Sequence, residues 1–132
     1  MTVQVACLLI GALLPYLWSV VTAVYGKREL GSTGFEAPRP HAAQLTGAGA
    51  RARDAQHNAW EAAIAFGLAN GAALAAGVEP SGHWALAAPL WVAARLMHGM
   101  FYVAGMALLR RLSFIIGMAM SAWIFLLALT VD

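Results

Sequence analysis

The sequence predicts an all-α membrane protein, a single domain over residues 1–132 folded as a four-helix up-and-down bundle of transmembrane helices. Three observations predict it. First, 61% of the 132 residues are hydrophobic and only 11% are charged, whereas an ordinary soluble domain has about 45–50% and about 25%. Second, the apolar residues gather into four long runs. Third, lysine and arginine fall almost wholly in two of the three connections. A formal net charge of +2 gives no reason to expect a nucleic-acid partner, so the distribution of charge matters more than its sum.

The first span is expected at about residues 3–25. Val3 to Val24 carries no charge, with only Gln4, Ser19 and Thr22 as markedly polar residues. At about 1.5 Å per residue it reaches about 33 Å, enough to cross a ~30 Å hydrocarbon core. Pro15 is expected to kink it. The first charge, Lys27, follows the apolar run. A secretory signal would carry its basic residues before the run, so this segment reads as a retained helix.

A cytoplasmic loop is expected over about residues 26–53, partly ordered and rich in Gly, Pro, Ser and Thr. Within it Pro38-Arg39-Pro40 disfavours helix. The second span is expected at about 54–78. Its uncharged part, Ala62 to Val78, covers only roughly 25 Å, so the helix must begin earlier and draw Asn58 and Glu61 toward the membrane. Gly77, Glu79, Pro80 and Gly82 mark a tight turn. The third span, about 84–109, contains Arg95 and His98, and Arg110-Arg111 marks the next turn. The fourth, about 112–131, is uncharged and bears Trp123.

No internal repeat, heptad pattern, phosphate loop, nucleophile elbow or zinc motif is evident. The single cysteine, Cys7, lies in an apolar run and reads as a packing residue. With no second cysteine, an intrachain disulfide, a CxxC pair and a cysteine metal site are excluded. Thiol chemistry would need a thiol from a small molecule.

Orientation follows from the basic residues. Lys27, Arg28, Arg39, Arg51 and Arg53 fall in the first connection or at the start of span two, and Arg110 and Arg111 in the third. The positive-inside rule places these connections in the cytoplasm and both termini outside.

The most informative residues are those that a membrane helix should not contain. On span two Arg51, Asp54, Asn58 and Glu61 stand at i, i+3, i+7 and i+10. At about 100° per residue they fall within an arc of about 80°. On span three Arg95, His98, Tyr102 and Gly105 repeat that spacing. Ionisable groups cost about 2.5–3.5 kcal/mol at the centre of a membrane helix, so they face a bundle interior or a cavity. Both stripes and the arginine pair are expected to converge on one cavity near the cytoplasmic face.

Forked arginine donors suit carboxylates and stabilise a thiolate. A carboxylate such as Glu61 suits an ammonium group, and an Asn amide suits a peptide bond. A small zwitterionic peptide satisfies that set, and so does a phospholipid headgroup. In the plainer alternative, Glu61 or Asp54 simply neutralises Arg95 or Arg51. Arg53 and His57 project from another side of span two. Lys27 and Arg28 read as topology determinants, and Asn70 as a hydrogen-bonding contact between helices, at about 1 kcal/mol.

These residues resemble a known family, the membrane-associated proteins in eicosanoid and glutathione metabolism. RARDAQHNAWE, Arg51 to Glu61, is similar to the family's R-x-x-x-A-x-x-N-x-x-E signature. RLMHGMFYVAG, Arg95 to Gly105, resembles its R-x-x-H-x-x-x-Y-x-x-G, and RRLSF, Arg110 to Phe114, its R-S-x-x-F. The resemblance covers essentially the whole chain. It implies a homotrimer of four-helix bundles in a bacterial inner membrane, with glutathione bound between subunits near the cytoplasmic face. By the same resemblance Asn58 and Glu61 contact glutathione, His98 and Tyr102 complete the pocket, and Arg51 and Arg95 support or bind. Arg110 matches the arginine that stabilises the thiolate, the one catalytic assignment. The implied activity is a glutathione-dependent transferase or peroxidase acting on lipophilic small molecules that arrive from the membrane lipids. The sequence departs from the family pattern at Arg111, where some members have serine, and at Asp54 and His57, where several have arginine. The alternatives are a non-enzymatic lipid- or small-molecule-binding protein on the same scaffold, and a purely structural partner.

Overall fold

With no charge before Lys27 and no glycine in a left-handed conformation before Gly31, nothing interrupts the first helix. In the computed structural model, which describes residues 1–131, α1 runs Thr2–Leu30, and Pro15 lies buried inside it. Lys27 and Arg28 occupy its last turn, where the helix dipole favours cations, and Gly31 caps it at φ 75°.

The connection that follows differs from expectation. Pro38–Ala42 forms a short helix, α2. Prolines are tolerated there because the first N–H groups of a helix have no intrahelical partner. His41 N–H is the first to need one, and it donates to Ala37 O at 3.0 Å. The next helix, α3, spans Gly47–Ala75 and so begins seven residues before the expected 54. Its start is fixed by α1. A Glu29 carboxylate oxygen accepts the Thr46 N–H at 3.1 Å, placing negative charge at the positive end of the α3 dipole.

The third and fourth long helices are α4, Gly82–Ala104, and α5, Ala107–Leu129. Arg110 and Arg111 therefore lie in the first turn of α5, not in a turn between spans. Gly105 explains the tight junction. With φ 77° it closes α4 by a Schellman motif, in which Gly105 N–H donates to Tyr102 O and Met106 N–H to Phe101 O. Gly77 closes α3 in the same way, through Leu74 O and Ala73 O.

Packing puts α3 against α1, α4 and α5, and α4 against α1, α3 and α5, while α1 and α5 do not touch. At one end Gln4 of α1 donates to Pro80 O in the α3–α4 turn at 2.8 Å. At the other, Arg51 near the start of α3 donates to Val103 O near the end of α4 at 3.0 Å. That second end gathers Lys27, Arg28, Arg39, Arg51, Arg53, Arg110 and Arg111, seven of the eight basic residues.

The interior is built from small residues and a few large rings. On α3 the buried positions Ala52, Ala55, Ala59, Phe66, Ala69 and Ala73 follow a spacing of threes and fours, with partly buried Ala62 completing it. This is a heptad-like seam that the sequence reading does not detect. On α5 Ser113, Gly117 and Ser121 face inward. Phe66 and Trp91 stack at 3.9 Å, and Trp84 Nε1–H donates to Asn70 Oδ1 at 2.8 Å, joining α4 to α3. Large apolar side chains, among them Leu9, Val20, Ile64, Leu68, Leu86, Met100, Ile115 and Leu126, point outward.

Small inside and large apolar outside inverts the soluble pattern and suits lipid, where close backbone approach drives helix association. By length and apolarity α1, α4 and α5 qualify as membrane spans. The α3 helix does not: its start carries Arg51, Arg53 and Asp54, and Asn58, Glu61 and Asn70 interrupt the rest.

Candidate functional site

A cavity of about 390 Å³ opens where the middle of α3, the end of α4 and the start of α5 meet. It is lined by Asn58, His98, Tyr102, Arg110, Arg111, Phe114 and Ile115. The Schellman turn at Gly105 folds α5 back against α4, bringing Arg110 over Tyr102, with its guanidinium 4.5 Å from the ring centroid. That contact holds the cation by its attraction to the ring face. The Arg110 carbonyl is fixed as well, accepting hydrogen bonds from Ser113 Oγ at 3.0 Å and from His98 Nδ1 at 3.0 Å.

The bond to Arg110 O decides the His98 tautomer. A carbonyl only accepts, so Nδ1 carries a proton, and in the neutral ring Nε2 keeps its lone pair. His98 is buried, and Nε2 has no partner among the described residues. Behind the cavity wall lies Arg95, 4% exposed, whose guanidinium donates to Asn58 Oδ1 and, at 3.4 Å, to Asn58 O. Its Nε is buried without a partner. Gly117 leaves room for it, since a Cβ there would meet Arg95 Cδ at 2.9 Å. A buried polar atom left unpaired is costly, and of these two only His98 Nε2 belongs to a residue that lines the cavity.

The structure thus brings Asn58, His98, Tyr102 and Arg110 together, with Arg95 supporting Asn58 from behind. It does not bring all of the expected residues to the cavity. Arg51 is spent on Val103 O, an acceptor that the α4 terminus leaves open. Glu61 is exposed, and its one hydrogen bond is from Asn58 Nδ2 at 3.4 Å. Asp54 leaves the stripe altogether, pairing with its neighbour Arg53 at 2.9 Å. This is the only ion pair among the described residues, so neither Glu61 nor Asp54 neutralises Arg95 or Arg51 in a salt bridge. Arg110 and Arg111 likewise have no carboxylate partner among the described residues.

Two lining residues, Phe114 and Ile115, escape sequence reasoning as site residues. The signal was present: they stand one turn beyond Arg110 and Arg111, on the same side of α5. Their apolar character hid them among lipid-facing residues.

A search of curated proteins and of solved structures finds no significant match. A model of the MAPEG family matches residues 3–130, nearly the whole length. With the four long helices and the arginine-bearing stripes at those positions, the chain belongs to the MAPEG family.

Proposed function

We propose that this membrane protein is a glutathione-dependent transferase or peroxidase that acts on lipophilic electrophiles, with Arg110 stabilising the thiolate. The observation that carries the reading is a guanidinium with no carboxylate partner among the described residues, held over Tyr102 in a cavity whose other wall is apolar. A cation so placed lowers a thiol pKa from about 8.5 and raises the population of the nucleophile.

The residues present suit glutathione. Arg110 and Arg111 offer donors to carboxylate and thiolate, Asn58 an amide for a peptide group, and Glu61, outside the cavity but hydrogen-bonded to Asn58, a carboxylate for the ammonium. Bound there, glutathione supplies the nucleophilic sulfur. Phe114 and Ile115 form an apolar approach from the bilayer for the acceptor. His98 keeps its Nδ1 proton on Arg110 O and so positions the turn that carries Arg110. Glu61 faces out of its own chain, which supports a site completed by a neighbouring copy in a homotrimer.

In the same reading α3 is the fourth span. It runs from the end shared with the α4 C-terminus to the end shared with Gln4, the same height that α1 crosses. Its charged half then lies toward the cytoplasm and its uncharged half, Ala62–Ala75, within the hydrocarbon. The basic end is cytoplasmic in an inner membrane, and both termini are outside.

The test is a glutathione titration of thermal stability in mild detergent. A ligand that binds only the folded state raises its stability by RT ln(1 + [L]/Kd). Saturable stabilisation that Glu61→Ala weakens is expected. No shift at millimolar glutathione would reject glutathione as the ligand.

A further inference from the structure

A larger cleft, about 720 Å³, lies between α1, the segment 31–46 and α3. Its α3 wall is Arg53, Asp54, Gln56, His57 and Trp60, and it shares no lining residue with the cavity at Asn58 and Arg110. It is therefore separate from the cavity described above and independent of its chemistry. We propose that this cleft is a second ligand site, which holds the phosphate headgroup of an anionic phospholipid with its acyl chain directed along α1 and α3.

Charge is the first argument. Arg53 and Asp54 satisfy each other, and Arg53 also donates to Ala42 O at 3.3 Å. Arg39 has no carboxylate within 4.0 Å and no side-chain hydrogen bond among the described residues. The cleft thus holds one uncompensated guanidinium. The His57 ring and the Ser19 and Thr33 hydroxyls add groups able to donate to phosphate oxygens. A zwitterionic headgroup would bring an ammonium as well, and the one carboxylate available, Asp54, is already held by Arg53. That selects a headgroup of net negative charge.

Position is the second argument. Arg39 and Arg53 belong to the basic end of the bundle, where headgroups lie if α1 crosses the bilayer. Ser19 and Trp60 lie deeper, about two turns inside the charged ends of their helices. At that depth Trp60 packs edge-on against Tyr16, which stands beside the cleft, with centroids 5.2 Å apart, and both rings remain exposed. A cleft cationic at the headgroup level and aromatic below it fits an amphiphile better than a free anion.

The experiment measures thermal unfolding of the full chain in mild detergent doped with phosphatidylglycerol, with phosphatidylcholine, or with inorganic phosphate. Phosphatidylglycerol is expected to raise the midpoint saturably, and the other two to leave it unchanged. Arg39→Ala should weaken the apparent affinity for phosphatidylglycerol about fivefold, the effect of one cation near a membrane surface. Arg28→Ala removes a cation of the same end but outside the cleft, and should leave the affinity unchanged. Stabilisation by glutathione should survive Arg39→Ala, so the two sites fail separately. Equal responses to phosphatidylglycerol and phosphatidylcholine would overturn the proposal, as would equal losses in Arg39→Ala and Arg28→Ala. An equal response to inorganic phosphate would overturn the lipid and assign a free anion.

Discussion

Arg110 and Arg53 show how differently one residue type is used at the same end of one bundle. Arg53 gives its fork to Asp54 and the rest of its charge to a carbonyl. Arg110 has only the face of Tyr102, which orients the cation without cancelling it. If this guanidinium stabilises developing charge on sulfur, Arg110→Ala should lower the turnover of a model electrophile by about 100- to 1000-fold, the usual effect of removing one such donor. Arg110→Lys should recover part of the loss, since charge remains but the planar fork does not. Steady-state conjugation kinetics check both. At this scale the sequence was partly legible. The i, i+3, i+7 spacing found Asn58, His98 and Tyr102. It could not show that Arg51 is consumed by Val103 O or that Glu61 faces out. A helical arc gives an angle around one axis and says nothing of the neighbour that it meets.

At the scale of the elements, the contacts that hold the site are close approaches between helices. Gly99, next to His98, is where the Trp18 indole of α1 crosses α4. A Cβ at Gly99 would overlap the six-membered ring of that indole. Trp18 is buried and cannot swing away freely. Gly99→Ala is therefore expected to destabilise the fold by about 1–3 kcal/mol through overpacking, read as a lower midpoint of thermal unfolding. Asn70 acts at the opposite half of the bundle, receiving the Trp84 indole N–H while its own amide donates to Phe66 O. Asn70→Leu should cost about 1–2 kcal/mol, because it leaves a buried indole donor unpaired.

The apolar runs of α1 and α5 were readable because nothing else fits 20 uncharged residues. The short α2 was not, because two prolines argue against helix everywhere except its first turn. The inner seam of α3 was hidden for another reason. In a chain so rich in alanine, the buried alanines cannot be told from the exposed ones by composition.

Across the whole molecule, the charge asymmetry is the feature on which the proposed function depends. Seven of the eight basic residues gather at one end, where both clefts lie, and by the positive-inside rule that end is expected in the cytoplasm. Orientation is testable with one new cysteine. In a Cys7→Ala background, Thr33→Cys should be protected from a membrane-impermeant maleimide in intact cells and react once the membrane is opened. Labelling in intact cells would reverse the topology. The bundle's outer surface is apolar nearly all round, so the sequence gives no face by which to choose between lipid and a second copy.

The central claim is that Arg110 turns a bound thiol into a thiolate. Its most direct test is the ultraviolet absorbance of the thiolate, measured at neutral pH as glutathione is added to the wild type and to Arg110→Ala. The account predicts a saturable thiolate band in the wild type and its loss in Arg110→Ala, with glutathione still able to stabilise the variant against heat. A band of equal strength in both proteins would contradict it, and so would binding of glutathione by the wild type with no thiolate formed.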